Sequence, residues 1–188
     1  MLIYLHGFNS SPRSHKAQFL KQFLDERGLG RRFFCPALPH WPDEALAAAE
    51  RELAEHGGGP VTLVGSSLGG FYATCLAERY GVRAVLINPA IEPHVGLRAW
   101  LGPQRNPYSG EPYELTEEHL RQWQRQYVET LHPERYLLLV ETGDEVLDYR
   151  AAVKRYRGAR QVVVQGGDHT LASFPAQIPL ILEFAGMS

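Results

Sequence analysis

An α/β architecture, a parallel sheet with helices on both faces, is what this 188-residue sequence predicts, on three observations. Segments of strand and helix character alternate along most of the chain. The strand segments are uniformly apolar, as strands buried on both faces are, and crossovers between such strands are right-handed and helical. Four loops that follow strands carry "HGF", "GSS", "TGDE" and "GGDH", and parallel sheets bind ligands outside the carboxyl ends of their strands.

The elements follow in order. "LIYL", Leu2 to Leu5, is a short core strand closed by the Gly-, Asn-, Ser- and Pro-bearing loop "HGFNSSPRS". Ala17, Phe19, Leu20, Phe23 and Leu24 then recur at helical spacing, and Gly28 stands where a left-handed C-terminal cap belongs. A second short strand is expected near Phe33 to Cys35, then a helix over "DEALAAAERELAEH" with Asp43 as N-cap and the glycine run from Gly57 as its stop. "VTLV" is the third strand, "SLGGFYATCLAERY" the helix behind it, ending at Gly81, and "RAVLINP" the fourth strand. From about residue 91 to about 135 a Pro-, Trp- and Tyr-rich insert interrupts the alternation. Its helix starts at Thr116, with Leu115 and Leu120 as a hydrophobic staple around the cap. Strand "YLLLVE", a short helix around "LDYRAAVKRY", strand "ARQVVVQ" and a last helix from Phe174 to about Ala185 restore the alternation.

Size and composition predict one domain over residues 1–188, since a second independent core would be cramped in 21.2 kDa. The net charge is −2 with no basic stripe, so nucleic acid is not an expected partner. Cys35 and Cys75 lack ligand or disulfide spacing and read as small apolar residues, which suits a reducing compartment. No apolar run approaches the roughly 20 residues of a membrane span, and no basic segment precedes a cleavable apolar one. A cytoplasmic location is expected.

The stretch "VGSSLGG" carries the chemistry. A sharp strand-to-helix turn that lifts a side chain above a sheet needs small residues two positions before and two after it. Ser67 has Gly65 and Gly69 there, whereas Ser66 would have Val64 and Leu68. Ser67 therefore fits a G-x-S-x-G nucleophile elbow. A serine hydroxyl is a weak nucleophile alone, so a base and an orienting acid are expected on later loops in the order Ser, Asp or Glu, His. His169, alone of the eight histidines, follows the last strand and is the expected base. His15, His40, His56, His94, His119 and His132 read as solvated surface residues, and His6 as a hydrogen-bonded structural one. Glu141, Asp144, Glu145 and Asp148 crowd the stretch after "YLLLV". Asp144 is favoured as the acid, with Val146 and Leu147 anchoring the turn after it. Asp148 is better placed to begin a helix, and Asp168 points away from its neighbour His169. The oxyanion donors are expected to be the backbone N–H groups of Leu68 and Phe8.

The set "YLHGFNSSP", "VGSSLGGFYAT", "INPA", "TGDEVLDY" and "GGDHTLASF" closely resembles the YqiA-type small bacterial esterases of the α/β-hydrolase superfamily, over nearly the whole chain. The resemblance implies a six-stranded parallel sheet lacking the first two strands of larger hydrolases. It further implies a triad of Ser67, Asp144 and His169, no cofactor or metal, a cytoplasmic location, and hydrolysis of small acyl esters or thioesters.

The insert supplies Trp100, Tyr108, Tyr113, Trp123 and Tyr127, which read either as a cap lined for an acyl chain or as the insert's own packing. Arg98, Arg105, Arg121 and Arg125 either meet a phosphorylated thioester head group or form a solvated face. An acyl-CoA thioesterase, a peptidase-like hydrolase and a non-catalytic binding module of the same fold are the competing readings. A full set of Ser, His and Asp weighs against the last, and the lack of an anchor for a peptide amine against the second.

Overall fold

The computed structural model of the chain describes residues 1–56 and 59–187. Strands β1 (Leu2–Leu5), β2 (Phe33–Phe34), β3 (Thr62–Ser66) and β4 (Arg83–Ile87) precede the insert, which contains β5 (Gly102–Arg105) and β6 (Pro112–Leu115). Strands β7 (Tyr136–Glu141) and β8 (Arg160–Val164) follow it. The main sheet runs β2-β1-β3-β4-β7-β8 with every pair parallel, the six-stranded arrangement expected.

Strand geometry explains the apolarity of the central strands β1, β3, β4 and β7, because successive side chains point to opposite faces and both are covered there. The edge strands β2 and β8 depart from the expectation, being partly exposed, with Arg160 and Gln161 in β8. Ile3, Leu5, Leu63, Leu86, Leu138 and Val140 pack into one core. Leu2, Tyr4, Val64, Val85, Leu137 and Leu139 pack into the other. The first core is closed by α2 (Pro42–His56), α3 (Leu68–Tyr80), α5 (Glu117–Gln126) and α6 (Tyr149–Arg155), the second by α1 (His15–Asp25) and α7 (Phe174–Phe184). The insert's short α4 spans Pro93–Gly96.

Local chemistry sets the helix ends. After α1 the Leu29 N–H bonds to the Leu24 carbonyl and the Gly28 N–H to that of Asp25, with Gly28 at φ +70°. This is a Schellman turn around the expected glycine. α3 ends on left-handed Gly81, also as expected. The structure corrects the start of α2: Pro42 is the first helical residue, a place its fixed φ suits, so Asp43 lies inside the first turn and is not the cap. Its carboxylate accepts from Gln126 Nε2 at 2.6 Å and pairs with Arg125 at 3.1 Å, tying α2 to α5. The glycine run expected to stop α2 begins at Gly57, outside the described residues.

The insert holds an antiparallel hairpin, β5 with β6, that sequence patterning did not predict. Its strands "GPQR" and "PYEL" each carry a proline, and most of their side chains are exposed or half-buried. Apolar periodicity is therefore absent. Thr116 caps α5 as expected, with Leu115 and Leu120 buried on either side of it.

Candidate active site

The parallel register places the ends of β1, β3, β7 and β8 along one sheet edge, and the loops expected to carry chemistry leave from there. Between β3 and α3 the chain turns at Ser67, whose φ of 54° and ψ of −120° an L-residue rarely adopts. Two features hold that turn. The Ser67 N–H donates to the Ile87 carbonyl at 3.0 Å, while the Ser67 carbonyl accepts from Gly70 and Ala90. The glycine spacing has the physical cause inferred from sequence: a Cβ on Gly65 would lie 2.3 Å from the Gly69 carbonyl oxygen, and one on Gly69 1.9 Å from that of Leu5. Both neighbours are backbone and cannot step aside.

His169 and Asp144 come to the same point from the last two loops. His169 Nε2 lies 3.1 Å from Ser67 Oγ, and its Nδ1 lies 2.8 and 3.0 Å from the two Asp144 oxygens. Asp144 Oδ1 also accepts the Val146 and Leu147 N–H groups, both at 2.8 Å. Burial works against the Asp144 charge, but the hydrogen bonds from His169, Leu147 and Val146 outweigh it and hold the carboxyl below its ordinary value. One expectation is corrected here: Val146 is 60% exposed and anchors nothing by its side chain. Its N–H does the anchoring. Asp148 caps α6 by accepting the Arg150 N–H, and Asp168 bonds to Thr170, not to His169.

Leu68 opens α3, so its N–H has no carbonyl within the helix. Phe8 follows the loop glycine Gly7, whose Cβ would lie 3.2 Å from Ser67 Cβ. His6 is 4% exposed and structural: its Nδ1 lies 3.2 Å from the Gly7 carbonyl oxygen, and its Nε2 accepts the Leu38 N–H.

Two cavities flank the elbow. One of about 240 Å³ is lined by Ser67, His169, Tyr108, Lys16 and Phe8. The other, of about 390 Å³, is lined by Phe8, Leu68, Tyr72, His40, Asn9 and Tyr113. The aromatic insert divides between the two roles open from sequence. Tyr108 and Tyr113 line the cavities, whereas Trp123 is fully buried and donates from Nε1 to the Tyr72 hydroxyl at 2.9 Å. The insert's arginines are engaged within the molecule: Arg98 pairs with Glu117, Arg121 with Glu118, Arg125 with Asp43 and Glu118, and Arg105 donates to the Gly110 carbonyl.

Another correction concerns His119, read from sequence as a surface residue. It is fully buried, its ring stacked on Trp41 at 3.8 Å. Sequence reasoning gave Asn88 no role and weighed Glu141 only among the candidate acids; they are 2% and 1% exposed and hydrogen-bond to the loop carrying His169. A buried charge at the end of an apolar strand was the one available signal.

Among the described residues, one group has ligand atoms close enough to share an ion: Glu52, Glu55 and His56, within 4.8 Å of one another. They sit at the end of α2 that leads back toward the start of β3, away from the elbow. No described helix is long and apolar enough to cross a membrane.

A six-stranded parallel sheet with a glycine-flanked serine at a strand-to-helix turn, and with Asp and His loops after later strands, defines an α/β-hydrolase fold. Solved structures share it: alpha/beta hydrolase domain-containing protein 10 from mouse superposes with a TM-score of 0.74 at 18% identity, over 98% of this chain and 89% of that one. Est1E from Butyrivibrio proteoclasticus gives 0.71 at 18% identity, over 98% and 88%. Within the fold, the chain belongs to the uncharacterised protein family UPF0227, which it matches over residues 1–186. A UPF0227 protein of Shewanella sediminis is 30% identical over 94 residues, 50% of this chain and 52% of that protein. The chain thus spans about half the length of the curated relatives it matches.

Proposed function

We propose that the chain is a serine hydrolase acting on small carboxylic esters through an acyl-enzyme. The observation that carries this reading is the continuous contact from Ser67 Oγ to His169 Nε2 and from His169 Nδ1 to Asp144, at a strained turn beside a cavity. Ser67 attacks the acyl carbon and His169 takes its proton. Asp144 fixes the Nδ1–H tautomer and stabilises the imidazolium. The Phe8 and Leu68 N–H groups stabilise the intermediate's oxyanion, each worth about 2.7–4 kcal/mol. Collapse expels the alcohol with the proton from His169, and water then attacks the acyl-enzyme by the same route.

Three features favour an uncharged ester over an acyl-CoA thioester. Arg98, Arg121 and Arg125 are paired with carboxylates and Arg105 donates to a carbonyl. The larger cavity is lined by asparagines, serines, His40 and Tyr113 with Glu44 and Glu111. Lys16, which lines the cavity holding Ser67, donates to the Thr170 carbonyl at 2.8 Å. Est1E has been solved with ferulic acid bound and shares this fold, which is compatible with an ester substrate.

The test is labelling with a fluorophosphonate followed by mass spectrometry of the adduct, beside a panel of chromogenic esters and acyl-CoAs of graded chain length. The adduct is expected on Ser67, with turnover of short neutral esters exceeding that of acyl-CoAs. An unlabelled Ser67 sinks the hydrolase reading; preferred acyl-CoA turnover sinks only the ester preference.

A further inference from the structure

The strand ends beside the site carry two buried polar residues that the proposed chemistry leaves without a role. Glu141 is the last residue of β7 and is 1% exposed; Asn88 follows β4 and is 2% exposed. Both direct side-chain hydrogen bonds to one segment, Asp168 to Ser173. Glu141 Oε2 accepts the N–H groups of Asp168 at 2.8 Å and Ala172 at 2.9 Å, and its Oε1 accepts that of Ser173 at 2.7 Å. Asn88 Nδ2 donates to the carbonyls of Asp168 and His169, both at 3.1 Å, while its Oδ1 accepts the Glu141 N–H at 3.2 Å. The two residues thus grip each other and the backbone on either side of the His169 side chain.

The sequence has adapted to this grip. A Cβ on Gly167 would lie 1.8 Å from Glu141 Oε2, and Gly167 has φ +72°, so glycine alone lets the loop fold over the carboxylate. The neighbouring Gly143 is equally constrained, since a Cβ there would meet the Gly167 carbonyl oxygen at 2.4 Å. Three N–H donors converging on a carboxylate bind it more tightly than they would a neutral oxygen, and leaving them unpaired around a buried side chain is costly. Burial disfavours the Glu141 charge, yet the bonds from Ser173, Asp168 and Ala172 hold its carboxyl below the ordinary value.

We infer that Glu141, with Asn88, is a positioning residue: it fixes the backbone from Asp168 to Ser173 so that the His169 ring bridges Asp144 and Ser67. The inference rests on the triad reading above. Neither residue touches a reacting atom. Their effect runs through the ring's orientation, where an error of about 1 Å costs on the order of 100-fold in rate.

Three variants of the full chain test this, each checked for a cooperative thermal melt. Glu141→Leu keeps the volume and removes every acceptor. Its kcat on a chromogenic ester is expected to fall about 100-fold with KM changed by less than about threefold, the pattern of a lost transition-state geometry. Glu141→Gln keeps one oxygen for the Asp168 and Ala172 donors and should recover most of that loss. Asn88→Ala removes the amide that donates to the Asp168 and His169 carbonyls and carries the Glu141→Leu expectation where that variant does not fold. The second readout needs no turnover: imidazole 15N shifts, assigned with His169→Gln, report which ring nitrogen carries the proton. The Nδ1–H form is expected in the parent and in Glu141→Gln, and a mixture with the Nε2–H form in Glu141→Leu. A folded Glu141→Leu with the parent's kcat and tautomer overturns the inference. A parent that neither turns over esters nor labels at Ser67 overturns the triad reading instead, and the nitrogen shifts still decide whether Glu141 orients the ring.

Discussion

At the scale of single residues, the site is written in local steric demands. Two glycines flank Ser67 because the Gly69 and Leu5 carbonyls occupy the space that a Cβ on Gly65 and on Gly69 would need; the demand on Gly65 lies within a five-residue window, whereas that on Gly69 comes from β1. Gly69→Ala puts a methyl carbon 1.9 Å from backbone oxygen, so a large fall in melting temperature is expected, measured by circular dichroism. Ser67→Ala leaves the turn intact and should lower kcat about a millionfold if chemistry limits turnover. Asp144→Asn should cost about 10⁴-fold through the wrong imidazole tautomer, whereas Asp148→Asn should change kcat less than about twofold, because Asp148 only caps α6. The reverse ranking would reassign the acid. Ser67, Asp144 and His169 were legible because each follows a strand in a loop of recognisable composition. Glu141 and Asn88 were not, since their partners lie 27 to 32 and 80 to 81 residues away.

At the scale of elements, α5 shows where periodicity stops informing. Its cap and staple were readable from "LTEEHL", but the third helical residue is His119, whose Nδ1 accepts the Thr116 N–H at 3.1 Å in place of the usual Glu or Gln. Isolated on a polar helix, a histidine there reads as solvated. It is buried because α5 lies across α2, with Trp41 and His40 against its ring. Burial and the neighbouring His40 push its pKa down to about 4, with Glu118 opposing, from the ordinary 6.5. The folded state therefore keeps His119 neutral where the unfolded chain takes up a proton. Its contribution to stability is complete above pH 6.5 and is lost as the pH falls from there toward 4. His119→Gln keeps an acceptor for the cap and does not titrate, so its melting temperature should vary less than the parent's across that window.

At the scale of the whole molecule, the two carboxylates at the sheet edge contribute to the acid limit, beside His119 and the lowered Glu78 carboxyl. Glu141 and Asp144 both have carboxyls held below their ordinary values of 4.5 and 3.8. Their stabilisation is present above those values and disappears as the pH falls through the lowered ones, because the unfolded chain binds the protons first. Melting temperature should drop steeply below about pH 4.5, and Glu141→Gln should flatten that slope; an unchanged slope would remove Glu141 from the acid limb. The parallel sheet was legible in its central strands, since only strands covered on both faces need be apolar at nearly every position. The layered fold, the elbow at Ser67 and the chain order of its partners were readable from sequence, because strand–helix alternation, glycine spacing and loop composition each show within a short stretch of chain. Tertiary structure alone decided that His119 is buried, that the arginines of the insert are engaged within the molecule, that Tyr113 rather than Trp123 faces a cavity, and that Glu141 and Asn88 hold the His169 loop. Each of those depends on which distant segments meet, and contacts between segments leave no period in a single sequence.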